Sequence, residues 1–337
     1  MKKIVLTGGG TAGHVTPNIA LLPALQAAGY EIAYVGSYEG IEKKLIADFN
    51  IPYTGISTGK FRRYLDPKNF SDPFRVMKGF VEARNYLKNY QPDVVFSKGG
   101  FVSVPVVRAA ASLHIPCIIH ESDMTPGLAN KLCIPVAEKV CCNFPETMKN
   151  IPADKAVLTG SPIRAELAEG SKLAGLNMCG FTANKPVIMV IGGSLGAANV
   201  NKAVRDALPK LLEDFQVVHL CGKDKIDNLL LNTPGYKQFE YIKAELKDIF
   251  AMADIVISRA GANAICELLA LKKPNILIPL PAASSRGDQL LNAASFEAQG
   301  YSIVLNEDDI TTNLLVDKVH ELYFNRQNYV EAMSKSH

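Results

Sequence analysis

Apolar runs alternate with amphipathic stretches along the first half of the chain. Residues 4–7 form an apolar run that enters a glycine-rich turn, and residues 17–28 carry leucines spaced for one helical face. Pro17 suits the first turn of that helix, and Gly29 suits its end. Further buried strands, separated by helical segments, are predicted at residues 31–36, 93–97, 116–120 and 139–142. Such alternation predicts right-handed crossovers and a parallel sheet.

The second half of the chain repeats this plan. A strand is predicted at 186–191, a glycine-rich turn follows at 192–197, and a helix then runs through Leu212. Three more strands are predicted at residues 216–221, 255–258 and 275–279. The pattern predicts an α/β protein with two Rossmann-like doubly wound domains that face a cleft, because ligands of such sheets bind outside the carboxyl ends of the strands. The predicted boundary lies between residues 160 and 185.

Length and composition agree with two globular domains and exclude several classes of protein. The 337 residues exceed one ordinary domain, and 48% of them are apolar. A net charge of +3, 8% aromatic residues and no Trp argue against a nucleic-acid partner. The seven cysteines include no C-x-x-C pair, so we expect free thiols in a reducing cytosol rather than disulfides or a zinc site.

The sequence also indicates which kind of membrane contact the protein could make. The N-terminal apolar run of about four residues is too short for a signal peptide, and no stretch approaches the roughly 20 apolar residues of a transmembrane helix. We therefore expect a soluble protein or one that sits on a membrane surface. Basic and aromatic residues are interleaved between residues 60 and 88, which suits an anionic membrane interface. A solvated basic helix that covers a core is the alternative.

The first glycine-rich turn matches G-x-G-x-x-G at Gly8, Gly10 and Gly13. Glycines let backbone N–H groups approach a phosphate at a helix N-terminus, whereas a purely structural tight turn is the alternative. A dinucleotide site also needs an acid at the end of the second strand, where Gly36 stands, so a nicotinamide-dependent oxidoreductase is disfavoured. His14 follows the turn and is either a general base or phosphate ligand, or a surface or capping histidine.

Three further polar segments follow predicted strands. Residues 120–130 offer donors and acceptors for a sugar, or else the capped start of a helix. Residues 258–267 form a small-residue turn that admits a nucleotide, and Glu267 could accept hydrogen bonds from both ribose hydroxyls or stabilise the helix dipole. Gln289 and Asn292 share a helix face, where they either meet a ligand or are solvated.

Together these motifs resemble the MurG family of UDP-N-acetylglucosamine transferases, which convert lipid I to lipid II, over nearly the whole chain. The resemblance rests on GGGTAGH at 8–14, FSKGGFVSVP at 96–105, HESDMTPGLANK at 120–131, TGSPIR at 159–164, GGSLGA at 192–197, SRAGANAICE at 258–267 and DQLLNA at 288–293. It implies a GT-B glycosyltransferase fold, with an N-terminal acceptor and membrane-associated domain at 1–163 and a C-terminal UDP-sugar donor domain at 164–337. It also implies one further helix, which we expect this chain to lack.

The resemblance implies roles for individual residues. His14 and Glu121 match positions near the acceptor, and His14 is the first candidate for the catalytic base, followed by Glu121 and Asp123. Asp123 is also expected to face the donor sugar, at a position where many family members carry Asn. Asn292 is a weaker candidate for a donor contact. The other implied donor contacts are Thr11, Ala12 and Gly13 in the first loop, Arg164 and Ser194 at the nucleotide and pyrophosphate, Ile242 at uracil, Ala262, Asn263, Ala264, Ile265, Cys266 and Glu267 at the diphosphate and ribose, and Gln289.

The activity implied is an inverting hexosyl transfer in peptidoglycan synthesis, and hence a part in cell-wall biogenesis, cell shape and division. N-acetylglucosamine would pass from UDP-N-acetylglucosamine to the 4-hydroxyl of the muramyl sugar of lipid I, with no cofactor or metal. The implied location is peripheral, on the cytoplasmic face of the cell membrane, with the anionic membrane surface and other cell-wall synthesis proteins as partners. A UDP-sugar epimerase is the nearest rival but leaves the basic, aromatic segment unexplained. A non-catalytic scaffold is another alternative.

Overall fold

The computed structural model describes residues 1–59, 68–192, 197–282 and 287–336, with the backbone alone at 68–73. The chain divides into two compact units, Met1–Arg164 and Ala165–His337. Each unit contains one sheet of parallel strands that are joined by helices. The structure thus has the two Rossmann-like, doubly wound α/β units that the strand pattern predicts.

The first unit is built on a seven-stranded sheet. Its strands β1 to β7 are Lys2–Thr7, Tyr30–Ser37, Tyr53–Ile56, Val94–Ser97, Cys117–Glu121, Lys139–Cys142 and Ala156–Leu158. Its helices α1 to α6 are Ala12–Ala27, Ile41–Ile46, Lys68–Tyr90, Ser103–Ser112, Leu128–Cys133 and Pro145–Met148. The spatial order is β3-β2-β1-β4-β5-β6-β7, so the winding reverses between β1 and β4. Ligands of such sheets bind at this switch point.

The second unit has a six-stranded sheet with the same plan. Its strands β8 to β13 are Val187–Ile191, Gln216–Leu220, Tyr236–Phe239, Ile255–Ser258, Asn275–Leu277 and Ser302–Val304. Its helices α7 to α13 are Lys172–Cys179, Ala198–Asp214, Leu246–Met252, Ala262–Ala270, Asp288–Ala298, Thr312–Phe324 and Arg326–Ser334. The order β10-β9-β8-β11-β12-β13 places its switch point between β8 and β11.

Burial on both faces explains why the central strands read as continuous apolar runs. Val5 and Leu6 of β1 are both fully buried, although successive side chains of a strand point to opposite faces. They belong to different apolar clusters, one on each face of the sheet. Helices therefore cover both faces, and the loops at the strand ends stand on a rigid support.

The prediction that the first helix begins at Pro17 was wrong. Helix α1 begins at Ala12, directly after the glycine turn, and includes both Pro17 and Pro23. Each proline removes one backbone donor from the helix. Burial of Val15 and Leu22 with Pro17 stabilises the helix in spite of that loss.

Four strands that the apolar pattern did not predict are β3, β7, β10 and β13. They are the outer strands of the two sheets. Other elements bury an edge strand less completely, so its run of apolar residues is shorter. In β7, for example, two of the three residues are exposed. The predicted inner strands all form, and their ends shift by at most two residues.

Candidate functional site

Two glycine turns lie against each other where β1 and β4 end. Gly9 donates its N–H to the carbonyl oxygen of Gly99 at 3.3 Å. Gly10 and Gly100 have φ angles of 84° and 87°, a region that residues with a Cβ rarely adopt. Backbone geometry at the switch point therefore requires glycine in both motifs.

Helix α1 presents its N-terminus directly after the first turn. Thr11 is the N-cap residue with extended backbone angles, and its side chain makes no capping hydrogen bond. Thr11, Ala12 and Gly13 are exposed, so a ligand can approach the first turn of this 16-residue helix. The positive end of the helix dipole favours an anion at this place.

His14 lies in the first turn of α1, and its side chain is half-buried. Its Nδ1 atom lies 2.9 Å from the carbonyl oxygen of Gly9 and 3.2 Å from the Thr11 hydroxyl. A carbonyl oxygen only accepts, so Nδ1 carries the proton and Nε2 keeps a lone pair. Burial lowers the pKa of the ring below its ordinary value; the Gly9 hydrogen bond and the charge of Glu42 oppose this effect, and the charge of Lys98 adds to it. The neutral ring can accept a proton at Nε2.

Glu42 belongs to this turn, although the sequence analysis did not single it out. Its fully buried carboxylate accepts the Gly10 N–H at 3.1 Å through Oε2. Its Oε1 accepts the backbone N–H and the hydroxyl of Ser37 at 2.9 and 2.5 Å. Burial raises the pKa of Glu42, but these hydrogen bonds outweigh it and hold the pKa below the ordinary value. An ionised carboxylate therefore lies beneath the glycine turn.

Glu121, at the end of β5, is buried and organises the loop that follows it. Its Oε1 accepts the Asp123 N–H at 2.9 Å, and its Oε2 accepts the Gly127 N–H at 3.1 Å and the Asn130 amide at 2.8 Å. Asp123 is half-buried, and its carbonyl oxygen accepts a hydrogen bond from Thr147. These contacts favour a positioning role for Glu121, and its catalytic role stays a prediction.

Lys98 is a further buried group that the sequence analysis did not name as a site residue. Its ammonium donates to Nδ1 of His120 at 2.9 Å and to the Ser122 hydroxyl. His120 in turn donates from Nε2 to the carbonyl oxygen of Gly160 at 2.8 Å. Burial, assisted by the Lys98 charge, lowers the pKa of His120 to about 3. The buried, neutral imidazole of His120 thus links Lys98, which follows β4, to the backbone of Gly160.

The first unit brings most of its predicted residues to one edge of its sheet. A Cβ built on Gly99 would lie 3.6 Å from both the His14 ring and the Asn130 amide. Asn130 is bonded to Glu121, so the base candidate and the loop that carries Asp123 are neighbours. The first unit thus offers a half-buried base beside a polar loop and a helix N-terminus.

In the second unit, helix α10 begins where β11 ends, beside the switch point. Gly261 is its N-cap residue and, as a glycine, supplies no side chain to cap the helix. Ala262, Asn263, Ala264 and Glu267 are half-buried, whereas Ile265 and Cys266 are buried. This arrangement offers the positive end of a helix, with a carboxylate one turn later, to a nucleoside diphosphate.

A buried ion pair fixes the loop before this helix. Arg259 donates from Nη1 to Glu307 at 2.5 Å and to the carbonyl oxygens of Ile278 and Pro279 at 3.1 and 3.3 Å. Glu307 also accepts a hydrogen bond from Asn199 at the start of α8. The pair joins the ends of β11 and β12 to α8. Motif spacing carries no signal for this pair, because the two residues are 48 positions apart.

Gln289 and Asn292 of α11 reach the same edge of the sheet. Gln289 accepts the Leu280 N–H at 3.0 Å, and the buried Asn292 donates to the carbonyl oxygen of Ala260 at 3.1 Å. Asn292 therefore braces the loop before α10, and Gln289 braces the loop after β12. The predicted uracil contact, Ile242, is buried in the loop after β10.

The remaining predicted donor contacts are Arg164 and Ser194. Arg164 is the last residue of the first unit and is half-buried. Ser194 lies outside the described residues. Among the residues that the structure describes, no group of three or more His, Cys, Asp or Glu side chains could hold a metal ion. None of the described helices is long and apolar enough to cross a membrane.

Comparison with known proteins shows the family and the fold of the chain. The models of the glycosyltransferase family 28 N-terminal and C-terminal domains match residues 4–142 and 187–337. Relatives from Lachnospira eligens and Lachnoclostridium phytofermentans are each 66% identical over 336 residues, with 100% of this chain and 95% of the relative covered. Both are named UDP-N-acetylglucosamine–N-acetylmuramyl-(pentapeptide) pyrophosphoryl-undecaprenol N-acetylglucosamine transferase.

Solved structures extend the comparison. MurG of Acinetobacter baumannii is 29% identical, with a TM-score of 0.78 over 99% of this chain and 94% of that one. A putative UDP-N-acetylglucosamine 2-epimerase from Listeria monocytogenes has a TM-score of 0.71 over 100% of this chain and 92% of that one, but at 13% identity it shows the shared fold alone. By its domains and its relatives, the chain belongs to glycosyltransferase family 28 and, within it, to the MurG family.

Proposed function

We propose that this protein transfers N-acetylglucosamine from UDP-N-acetylglucosamine to the 4-hydroxyl of the muramyl sugar of lipid I. The names and 66% identity of its full-length relatives support the substrates. The observation that carries the chemistry is the neutral His14 ring, whose Nδ1–H is fixed on Gly9 and whose Nε2 keeps a lone pair. The first unit then supplies the base, and the second unit binds the nucleotide.

The proposed reaction is a single displacement. The 4-hydroxyl attacks the anomeric carbon of the donor, the bond from that carbon to the diphosphate oxygen breaks, and Nε2 of His14 takes the hydroxyl proton. UDP leaves with its bonding electrons as an anion. The N-terminus of α10 stabilises that developing charge, as fixed dipoles do when they need no reorganisation. Glu267 would hold the ribose hydroxyls.

We place Glu121 in a supporting role within this mechanism. Three hydrogen-bond donors of its own loop already occupy its carboxylate. Transfer of a proton to Glu121 would weaken those bonds at the moment of reaction. His14 has no such conflict at Nε2, because its loop contact is made through Nδ1. Asp123 is then proposed to contact the donor sugar.

Peripheral binding to an anionic membrane, on its cytoplasmic face, is part of the proposal. On helix α3 the exposed fractions of Phe74 and Met77 are 79% and 64%. They lie beside a groove of about 410 Å³ between α3 and α4. The basic residues on the same helix and at the groove are Arg75, Lys78, Arg84, Lys88 and Arg108. A helix that carries both exposed apolar side chains and cations suits anionic headgroups. The part of the predicted interface at residues 60–67 lies outside the described residues.

The experiment is transfer of labelled sugar from UDP-N-acetylglucosamine to a short-chain lipid I analogue, with the acceptor omitted as the control. The proposal predicts labelled product only when the acceptor is present. Formation of an epimerised UDP-sugar without acceptor would support the non-hydrolysing epimerase instead. Donor binding without turnover would support a non-catalytic scaffold.

A further inference from the structure

The peptide group between Gly9 and Gly10 forms hydrogen bonds with ionisable side chains through both its carbonyl oxygen and its N–H. Its carbonyl oxygen lies 2.9 Å from Nδ1 of His14, and its N–H donates to Oε2 of Glu42 at 3.1 Å. In a trans peptide these two groups point in opposite directions, so the peptide stands between the imidazole and the carboxylate. One planar amide thus connects a buried anion to the proposed base.

We propose that Glu42 is a positioning residue for His14, which it orients and makes more basic through the Gly9–Gly10 peptide; this rests on the proposed function. A carboxylate on the N–H polarises the amide, and a polarised carbonyl oxygen is a stronger acceptor for Nδ1–H. That bond fixes the tautomer in which Nε2 is unprotonated. The negative charge also stabilises the imidazolium that forms when Nε2 accepts the proton.

The surroundings of Glu42 are shaped to hold a carboxylate. A Cβ on Gly9 would lie 2.5 Å from its carboxyl carbon, and one on Gly36 would lie 2.7 Å from its Cγ. Gly40 likewise leaves room for Oε1. Ser37 donates two hydrogen bonds to the same oxygen. Three glycines therefore leave room for one buried anion, and two donors of Ser37 and the Gly10 N–H bond it, which is more than a helix-capping role needs.

Glu42 also gives the first glycine turn an internal anion. The Gly10 N–H, which a G-x-G-x-x-G motif would offer to a ligand phosphate, is already occupied by Oε2. The turn is therefore held in shape before any substrate binds. The charged side chains that act on His14 are Glu42 from α2 and Lys98 from the end of β4, and they act in opposite directions.

The test compares Glu42→Gln with Glu39→Gln, which neutralises an exposed acid three residues away. The first readout is NMR titration of the labelled histidines, with the His14 signal among the six assigned by its loss in His14→Gln. We expect Glu42→Gln to move the His14 titration to lower pH and to weaken the Nδ1–H tautomer, and Glu39→Gln to change neither. An unmoved His14 titration in folded Glu42→Gln would overturn the proposal.

The second readout is transfer kinetics. A positioned base supplies about 10²–10⁴-fold in rate, and we expect Glu42→Gln to lose about tenfold of it in kcat. The KM for the UDP-sugar should stay within about twofold of the wild-type value. The acidic limb of the pH profile should move to lower pH, which loss of fold alone would not cause. If Glu42→Gln does not fold, Ser37→Ala replaces it, and an unmoved His14 titration there overturns the proposal. A wild-type protein without transfer, but with the titration shift, would refute only the proposed function.

Discussion

The buried pair of Arg259 and Glu307 predicts a large loss of stability from a single substitution. Their side chains are only 10% and 6% exposed, and Glu307→Ala would leave the guanidinium buried with the carbonyl oxygens of Ile278 and Pro279 as its acceptors among the described residues. Removal of one partner of a buried ion pair costs about 3–5 kcal/mol. In a unit of this size each kcal/mol shifts Tm by about 2–4 °C, so we expect a decrease of at least about 6 °C.

The assay is thermal unfolding of four variants near pH 7. Glu307→Ala and Arg259→Met should each destabilise, whereas the double variant Arg259→Met/Glu307→Met should recover most of the loss, because two apolar side chains leave no buried charge. The control is Asp206→Ala, which breaks the exposed pair of Lys202 and Asp206 and should cost less than about 1 kcal/mol. If Glu307→Ala costs no more than Asp206→Ala, the reasoning is refuted.

This contribution should also depend on pH. Burial raises the pKa of Glu307, but hydrogen bonds from Arg259 and Asn199 outweigh it and hold the pKa below the ordinary value. A lowered pKa in the folded state means that the stabilisation is complete above the pKa of an unfolded Glu, about 4.3, and is lost as the pH falls through the folded-state pKa. Glu307→Ala should therefore converge with the wild type in stability as the solution is acidified.

Three other outcomes are expected. His14→Ala should lower kcat about 10²–10⁴-fold while calorimetry shows unchanged UDP binding, and an equal loss of UDP binding would contradict its role as base. Because His14 must be neutral to act and its pKa is lowered, kcat/KM of the wild type should fall only below the ordinary histidine pKa. Glu267→Ala should weaken UDP binding about 10–100-fold with little change in Tm, since a hydrogen bond to a carboxylate contributes about 1.5–3 kcal/mol; unchanged affinity would refute the ribose contact. Phe74→Glu/Met77→Glu should abolish cosedimentation with anionic vesicles yet keep transfer to a soluble acceptor, and retained cosedimentation would show that another surface binds the membrane.

The sequence predicts the inner strands of both sheets because their apolar runs report burial directly. The edge strands escape detection because one side of each lacks a strand partner and its residues are partly exposed. Helix α1 begins earlier than predicted because Pro17 suggests a helix start locally, whereas tertiary packing allows it inside the helix. Local propensity is overridden where a helix has a sheet to bury its face.

The candidate site could be predicted where its residues follow a strand within a few positions. His14 and Asp123 are of this kind, and both lie where the carboxyl ends of strands meet. Lys98 and Arg259 also follow strands directly, but they and Glu42 could not be singled out, because each acts through a partner that is distant along the chain, at His120, Glu307 or Gly10. Such partners are visible only after the strand order is known, so motif spacing cannot reveal them.

The stereochemistry of transfer is the direct test of a single displacement with His14 as its base. A single displacement on the α-linked donor UDP-N-acetylglucosamine must invert the anomeric carbon. The measurement is the proton NMR coupling at that carbon in the product formed with a short-chain lipid I analogue. We expect a β-linked disaccharide that forms only with acceptor present. An α-linked product would contradict the single displacement and the role of His14 as its base.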